Sequence, residues 1–386
     1  MSVFQSTSND LSWYHPWLHG QVANISHAVR QLRVGEETLL ENNAFERVFT
    51  AVATFVRDNE AVSIDDVVGH LRETQKMEGT REASKTQRLL VFAILGWQSM
   101  LYRPAFNTCC QDEFAVHDDQ SSSGLVFDSN KVSADLADRP LFVISKGFGN
   151  LLPSPNITPV ASENSKAAAT WLPLNPAETN AYHLALLHVR IRWVDCLALH
   201  LDYNKSSRTL SLFSCPSFCV AMLRSKGTIY SFASPENNSF DPRANEEDIS
   251  QFMREVLLSF RLLFGQHGPS RKLFPQIYRP TERLRKADQL LPLLCMRKYI
   301  PQRSLPLCPD QPVYFAAQHF PVLSERIELI TKELKSSRPT SLGELLHDRR
   351  DTLQYWTFWL VSIYGSIGII LSLVQVIFGA LQLAQG

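Results

Sequence analysis

The last 35 residues of the chain constrain it most, because from Thr352 to Gly386 they include no Asp, Glu, Lys or Arg. The hydrocarbon core of a bilayer is about 30 Å thick and is crossed by roughly 20 apolar helical residues. The run from Tyr355 to Ala384 exceeds that length. A helix buried in a soluble core is the alternative, but such a helix normally carries a polar face, and here no face is charged. The segment is therefore predicted to be a transmembrane helix.

The residues around this helix predict its orientation. Three aromatic residues, Tyr355, Trp356 and Trp359, lie where the membrane interface would begin. Arg349 and Arg350 precede them. No Lys or Arg follows the span. Because basic flanks stay in the cytoplasm, we expect residues 1–350 to be cytoplasmic, as in a single-pass, tail-anchored membrane protein.

A stripe of small and amide residues runs along one side of the predicted span. Its members recur at steps of three and four: Gly368, Ser372, Gln375, Gly379 and Gln382. Small residues let helices approach closely in lipid, and amides can bond across the contact, so the stripe suggests a homo-oligomer or a partner helix. Alternatively, small residues are simply frequent in spans, and the two glutamines reach for the interface.

The N-terminal part of the chain offers no second span. The opening "MSVFQSTSNDLSWYHPWLHG" lacks the continuous apolar run of a signal peptide, so we expect a cytosolic N-terminus. The glycosylation sequons at Asn24, Asn156, Asn204 and Asn237 should then remain unused. Leu89–Tyr102 is too short to cross a bilayer and suits a buried core helix.

Composition narrows the range of partners. The 386 residues are 45% hydrophobic and 20% charged, which is typical of a globular protein. Lys plus Arg and Asp plus Glu both number 38, so nothing global favours nucleic acid. The seven cysteines are odd in number and scattered, which indicates reduced thiols rather than a disulfide scaffold.

Hydrophobic periodicity predicts an α+β fold with a helical N-terminal unit, a small antiparallel sheet, further helices and the C-terminal transmembrane helix. The corresponding ranges are 1–104 (helical unit), 105–184 (irregular region and linker), 185–340 (sheet and helices of the cytosolic body) and 341–386 (juxtamembrane and transmembrane helix). Ser341 and Glu344 form a capping-box pattern at the start of the last range.

Individual elements follow from caps and spacing. Helices are expected over residues 43–56, after a cap at Ser63, over 82–102, after a cap at Asn245, and over 323–334. Strands are expected in "RPLFVISKGFGNLLP", over 185–203 with a bend near 194–196, in "TLSLFS" and in "GTIYSFAS".

Catalytic motifs are absent from the sequence: no P-loop, HExxH, GxSxG, paired CxxC or EF-hand pattern occurs. The best candidate site lies on the predicted sheet: His188 shares a polar strand face with Arg190 and Arg192, His200 shares the next one with Asp202, and Asp195 interrupts the apolar register. Such faces are usually only hydrated, and Asp195 suits a turn better than a buried catalytic carboxylate.

Three further patterns are weak. "KGFGN" is better explained as a glycine turn than as a phosphate loop, and "CPSFC" lacks the second pair that a zinc site needs. The acidic run from Asp112 to Asp119 has magnesium-type ligands but suits a hydrated loop better. No cofactor or metal is therefore predicted.

A basic segment lies between residues 271 and 298. The segment contains eight basic residues and only two acidic ones. The basic residues are Arg271, Lys272, Arg279, Arg283, Arg285, Lys286, Arg297 and Lys298. On a membrane-tethered body they could contact anionic lipid, with about 1 kcal/mol per residue near the surface. A charge-balanced protein surface is the alternative.

Four stretches carry a resemblance: "RLLVFAILGWQSMLYRP", "LFVISKGFGNLLP", "LLSFRLLFGQHGPSRKLF" and "DRRDTLQYWTFW". Together they resemble a group of single-pass membrane proteins of filamentous ascomycete fungi to which no activity is assigned. The resemblance implies a fungal origin and transfers no functional residue. The Tyr364–Gly365 pair differs from the YGMN loop of CorA-type magnesium transporters, because it lies inside a single span.

Two functions remain open from the sequence. The first is a non-enzymatic scaffold or adaptor, tethered to a membrane and facing the cytosol. The second is a membrane-bound enzyme or accessory factor that acts on lipophilic intermediates of fungal secondary metabolism. An apolar pocket converging on the sheet candidates would favour the second.

Overall fold

The computed structural model describes residues 11–106, 112–117, 130–149, 151–153, 173–234, 244–278, 288–299, 310–336 and 352–385. Most of the residues in these ranges are helical. The strands are short and pair with one another in small sheets. The predicted mixed helix and sheet class is confirmed, and one long apolar helix stands at the C-terminus.

The helices are numbered in chain order. They are α1 (Tyr14–Val22), α2 (His27–Arg30), α3 (Ala44–Asp58), α4 (Ile64–Gln75), α5 (Arg81–Ser99), α6 (Leu141–Gly147), α7 (Ala181–Leu186), α8 (Pro216–Arg224), α9 (Glu246–Phe260), α10 (Gly268–Ile277), α11 (Leu290–Met296), α12 (Ala316–His319), α13 (Ser324–Ser336) and α14 (Thr352–Gln385).

Capping and periodicity explain the helices that the sequence predicted. The Ser63 hydroxyl accepts a hydrogen bond from the Asp66 backbone N–H at 3.1 Å, and the Asp66 carboxylate accepts one from the Ser63 N–H at 2.9 Å. This capping box starts α4, and Asn245 with Asp248 forms another at the start of α9. Helix α5 has a buried C-terminal half, as expected for a core helix.

The strands are short. They are β1 (Arg33–Val34), β2 (Glu37–Thr38), β3 (Glu113–Ala115), β4 (Lys131–Ser133), β5 (Pro173–Leu174), β6 (Arg190–Val194), β7 (Tyr203–Asn204), β8 (Thr209–Phe213) and β9 (Tyr314–Phe315). β1 pairs with β2, β3 with β4, and β5 with β9, all antiparallel.

The sheet in the middle of the chain has three strands in the order β6, β8, β7. The β7–β8 pair is antiparallel, as predicted, whereas β6 and β8 run parallel with Arg190 opposite Thr209 and Val194 opposite Phe213. The chain can return in the same direction because a 3₁₀ turn at Leu197–Leu199 and strand β7 lie between them.

Two predicted strands are wrong, and a third is much shorter than its pattern. "LFVISKG" forms helix α6, and Thr228–Phe232 forms a 3₁₀ helix that packs against α6. Both segments are rich in β-forming residues, but packing overrides that preference. The alternating run over 185–203 begins in α7 and ends its strand at Val194, where the bend was expected.

One contiguous core joins the described parts of the body, from Trp13 near the N-terminus to Leu334 in α13. Long-range hydrogen bonds cross it: the Trp13 indole N–H donates to the Ser217 hydroxyl at 2.8 Å, across 204 positions of sequence. The helical N-terminal region and the middle of the chain therefore share their packing.

A buried arginine organises the end of α9. The helix continues as a π-helical turn, Arg261–Gly265, and the Arg261 side chain is fully buried. Its guanidinium binds both carboxylate oxygens of Asp310, at 2.8 and 2.7 Å. The carbonyls of Leu294, Arg297 and Lys298 accept the remaining N–H groups. All five donors are thus paired, as a buried charge requires.

The C-terminal helix α14 is 34 residues long and differs from all the helices above in its surroundings. Its apolar window, Trp359–Phe378, has no part buried against the described body. At 1.5 Å per residue the helix is about 51 Å long, which exceeds a hydrocarbon core of about 30 Å. Length and composition thus make it a candidate membrane span.

Candidate functional site

The histidine at the centre of the predicted sheet patch belongs to the core. His200 is fully buried, its Nδ1 accepts a hydrogen bond from the Phe213 backbone N–H at 3.2 Å, and its Nε2 lies 2.8 Å from the Ser259 hydroxyl. Because Nδ1 accepts, the proton is on Nε2. Burial, helped by the positive charge of Arg326, lowers the pKa of His200 to about 3. His200 is therefore a neutral imidazole whose hydrogen bonds connect β8 to α9.

The other three candidates lie in different surroundings. Asp195 follows the end of β6, in the predicted turn, and its Oδ2 accepts a hydrogen bond from the Trp17 indole at 3.0 Å. His188 is exposed after α7 with φ of 57°, and Asp202 is half-buried beside β7. The hydrogen bonds of Asp195 and His200 thus lead to different elements, α1 and α9.

The structure describes at least part of each of the three weaker sequence patterns. "KGFG" begins in the last turn of α6. Asp112 pairs with Lys85 at 2.5 Å, and Glu113 with Lys131 at 3.5 Å. In "CPSFC" both thiols are buried, and burial raises the pKa of Cys215 well above its ordinary range.

The predicted membrane residues are placed in part. Trp356 and Trp359 are exposed on α14, as are Gly368, Ser372 and Gln375. The Ser372 hydroxyl donates to the Gly368 carbonyl at 2.9 Å, within the helix. Tyr355, Gly379 and Gln382 lie in the helix, but their side chains are outside the described set. Arg349, Arg350, Ser341 and Glu344 lie outside the described residues altogether.

The basic segment is exposed where it is described. Lys272 on α10 and Arg297 and Lys298 after α11 are exposed, while Arg271 is half-buried. Two apolar side chains stand beside them: Met296 is 46% exposed and Tyr299 is 73% exposed. The Lys298 ammonium lies 5.1 Å from the centre of the Tyr299 ring. Arg279, Arg283, Arg285 and Lys286 lie outside the described residues.

A cleft of about 330 Å³ opens between α1 and α3. Its wall is mainly apolar, with Leu11, Leu18, Val22, Leu40, Phe45 and Phe49. Small-molecule sites occupy about 300–1,000 Å³ and combine apolar walls with a few polar groups, so this cleft has the size and lining of a small site.

Three ligating side chains line the same cleft: His15, His19 and Glu46. One donor atom from each lies within 4.8 Å of the others. The His15 Nε2 is 3.7 Å from Glu46 Oε1, and the two imidazole rings have centres 4.4 Å apart. Imidazole and carboxylate are donors to transition metals and can act in proton transfer.

Buried aromatic residues fix the helix that carries the two histidines. Trp13 bonds Ser217, the Tyr14 hydroxyl donates to the Trp97 carbonyl at 2.9 Å, and Trp17 bonds Asp195. These anchors face the core, which leaves His15 and His19 on the outer side of α1. The histidines are therefore held in place by the fold rather than by each other.

Sequence reasoning did not identify this site. The signal present was "HPWLH", which places two histidines four residues apart and thus on one side of a helix. Glu46 comes 27 residues after His19 and is brought near it only by the packing of α1 against α3. Two of the three ligating residues were thus visible in the sequence.

No protein-family model matches the chain, and neither does any curated protein sequence or solved structure. No function is therefore transferred to the chain from another protein. A function has to be derived from its own side chains and their arrangement.

Proposed function

We propose that the protein is a single-pass, membrane-tethered scaffold or adaptor whose body faces the cytosol. The observation that carries this proposal is α14, a 34-residue helix without charge whose apolar window is not buried against the body. In water such a surface would be costly, at roughly 25 cal/mol for each Å² of apolar area. A bilayer removes that cost.

The orientation is proposed from the charges in the sequence. Arg349 and Arg350 precede the helix, and residues 352–386 contain no Lys or Arg. Trp356 and Trp359 are exposed at the same end, where aromatic side chains favour the membrane interface. The body would then lie on the cytosolic side, with the chain end across the membrane.

The test of the tether is a variant that ends at Thr352. We expect the full chain to stay with membranes after an alkaline carbonate wash and the shortened chain to be released. Circular dichroism of the released chain should show a folded body, so that aggregation does not explain a pellet. Equal sedimentation of both chains would contradict the proposal.

The test of orientation is a glycosylation acceptor fused after Gly386. We expect the acceptor to be modified while Asn24, which is exposed in its sequon, stays unmodified. Modification of Asn24 without the acceptor would reverse the proposed topology.

We also propose that the basic segment rests on anionic lipid headgroups. Exposed Tyr299 and Met296 beside Lys298 give an apolar and cationic surface of the kind that lies at a membrane interface. In vesicles containing phosphatidylserine, Lys272 and Lys298 should be acylated more slowly than in neutral vesicles. Exposed Lys205 is the control, and equal protection of all three lysines would contradict the contact.

A second candidate function is favoured by the cleft between α1 and α3. Its apolar wall and its size suit a small lipophilic molecule, on which the protein would act as a membrane-bound enzyme or accessory factor. Leu18→Trp should fill the cleft and weaken binding of an apolar fluorescent probe at least about tenfold. Leu329→Trp, at an exposed site, is the control. Equal binding by both variants would remove this candidate.

A further inference from the structure

The cluster of His15, His19 and Glu46 has a composition that sets it apart from ordinary surface charges. Two imidazoles from one helix meet a carboxylate from another, and all three line one cleft. His15 and Glu46 keep 53% and 44% of their side-chain surface exposed, so an ion could reach them from solvent.

We propose that His15, His19 and Glu46 form a binding site for a divalent transition-metal ion of the zinc type at the mouth of the cleft. The site is independent of the membrane-tether proposal. It assigns the cluster a ligand that neither the sequence patterns nor the comparisons indicate.

The distances suit such an ion. Bonds from Zn²⁺ to nitrogen and oxygen are about 2.0–2.2 Å, so donors in a tetrahedral shell lie roughly 3.3–3.6 Å apart. The His15 Nε2 and Glu46 Oε1 are already 3.7 Å apart, and every pair lies within 4.8 Å. Rotation of exposed side chains by about 1 Å would close the remaining gap.

The donor set also selects the type of metal. Imidazole nitrogen is a donor for zinc, copper, nickel and iron, whereas Mg²⁺ and Ca²⁺ require oxygen shells. One carboxylate and two imidazoles give the donor set of open zinc sites, which keep a fourth position for water or a ligand. Because all three residues line the cleft, the ion would lie at its mouth.

An ordinary ion pair explains the cluster less well. Such a pair would need only His15 and Glu46, yet the His19 ring lies beside His15, with ring centres 4.4 Å apart and planes inclined at 60°. A metal ion gives both imidazoles and the carboxylate one shared partner, which an ion pair between two of the three residues does not. The hydrogen bonds of Trp13, Tyr14 and Trp17 fix α1 to the core, so the position of the two histidines does not depend on contacts within the cluster.

The experiment uses the full chain in detergent micelles, freed of metal with a chelator and titrated with Co²⁺ alone and then with Zn²⁺ alone. We expect one ion per chain, with visible Co²⁺ absorption bands of a four-coordinate site that Zn²⁺ abolishes. His19→Gln and Glu46→Gln should each weaken binding at least about 10- to 100-fold, since even outer partners of a metal contribute that much.

The matched control is His27→Gln, an exposed histidine at the start of α2. This variant should bind as the wild type does, and unchanged circular dichroism should show that all variants fold. Binding lost equally in His27→Gln, binding retained in both cluster variants, or no stoichiometric Co²⁺ spectrum would each overturn the site and leave an ion pair only.

Discussion

At the scale of single residues, the body depends on a few buried polar groups that are fully paired. Glu255 is one of them: its carboxylate accepts hydrogen bonds from the Val322 and Leu323 backbone N–H groups at 3.1 and 2.7 Å. Since these donors belong to the segment that starts α13, Glu255 holds that helix against α9. The same logic explains His200 between β8 and α9.

Burial gives Glu255 a predictable effect on stability, because it raises the pKa of this carboxyl from 4.5 to about 7. The folded protein therefore holds a proton between pH 4.5 and 7 that the unfolded chain releases. Protonation of Glu255 therefore contributes on the order of 3 kcal/mol to the unfolding free energy. The contribution is present in full below pH 4.5 and is lost as the pH rises to 7. Asp288, with its pKa raised to about 6, acts in the same direction, whereas His200 acts oppositely between pH 3 and 6.5.

We predict that Glu255→Gln removes the Glu255 part of this pH dependence. The difference in unfolding free energy between variant and wild type should change by on the order of 3 kcal/mol from pH 4.5 to 7.5, in favour of the variant. Denaturant unfolding of both chains across this range is the measurement. Glu247→Gln, at an exposed site on the same helix, should follow the wild type. A constant difference for Glu255→Gln would contradict the prediction.

Glycines at two positions should respond in opposite ways to alanine. A Cβ on Gly265 would lie 2.6 Å from the Leu294 carbonyl oxygen and would also meet the Arg261 guanidinium. Gly69, inside α4, has open space around its Cβ position. Gly265→Ala should lower the unfolding free energy by about 3 kcal/mol or more, because it displaces a buried charge. Gly69→Ala should raise it by about 0.5–1 kcal/mol. Thermal unfolding of both variants measures this, and a neutral Gly265→Ala would show that the π-helical turn is not tightly packed.

At the scale of elements, the helices with caps were predictable, whereas only some of the strands were: "TLSLFS" forms β8 as expected, but two other predicted strands are helical. Ser63 and Asn245 signal their helices through local hydrogen bonds, which depend on four consecutive residues. The strand pattern of "LFVIS" in α6 depends instead on neighbours far along the chain, which the sequence does not order. The parallel pairing of β6 with β8 is equally invisible, because it depends on how β7 and the 3₁₀ turn fold between them.

The candidate site follows the same division. The spacing of His15 and His19 is local and could be read from the sequence, whereas Glu46 joins them only through packing. The alternation that placed His200 on a polar face was misleading. The residue lies beyond the end of β6, where the strand period no longer applies.

The stripe on α14 gives a prediction about association of helices. Gly368→Leu should weaken oligomers in detergent if the stripe packs, because a larger side chain prevents close approach. Ser366→Leu is the matched control, since it adds bulk on the opposite side of the same helix. Crosslinking of both variants measures the outcome. Equal losses, or none, would show that the stripe is not an interface.

At the scale of the whole molecule, the body has a shared core, whereas the C-terminal helix is a candidate membrane span. One core runs through the described body, from Trp13 to Leu334. The described window of α14, Trp359–Phe378, has no part buried in that core. Hydropathy alone was sufficient to identify α14, because its length and lack of charge do not depend on any other element.

This independence predicts that removal of residues 353–386 leaves the body as stable as before. The unfolding temperature of the shortened chain should lie within about 2–4 °C of that of the full chain, which corresponds to less than about 1 kcal/mol. Differential scanning calorimetry of both chains in the same detergent measures this. A larger fall would mean that the helix contributes to the core.

The bond between Trp13 and Ser217 also has a consequence during synthesis. Ribosomes add about 5–20 residues per second, so the 204 positions between the two residues take about 10–40 s to translate. Tyr14 gains its partner Trp97 after 83 positions, but Trp17 waits 178 positions for Asp195 and Trp13 waits 204 for Ser217. Chaperones that recognise exposed aromatic surface are therefore expected on nascent chains until residue 217 has emerged, and not after the body has closed.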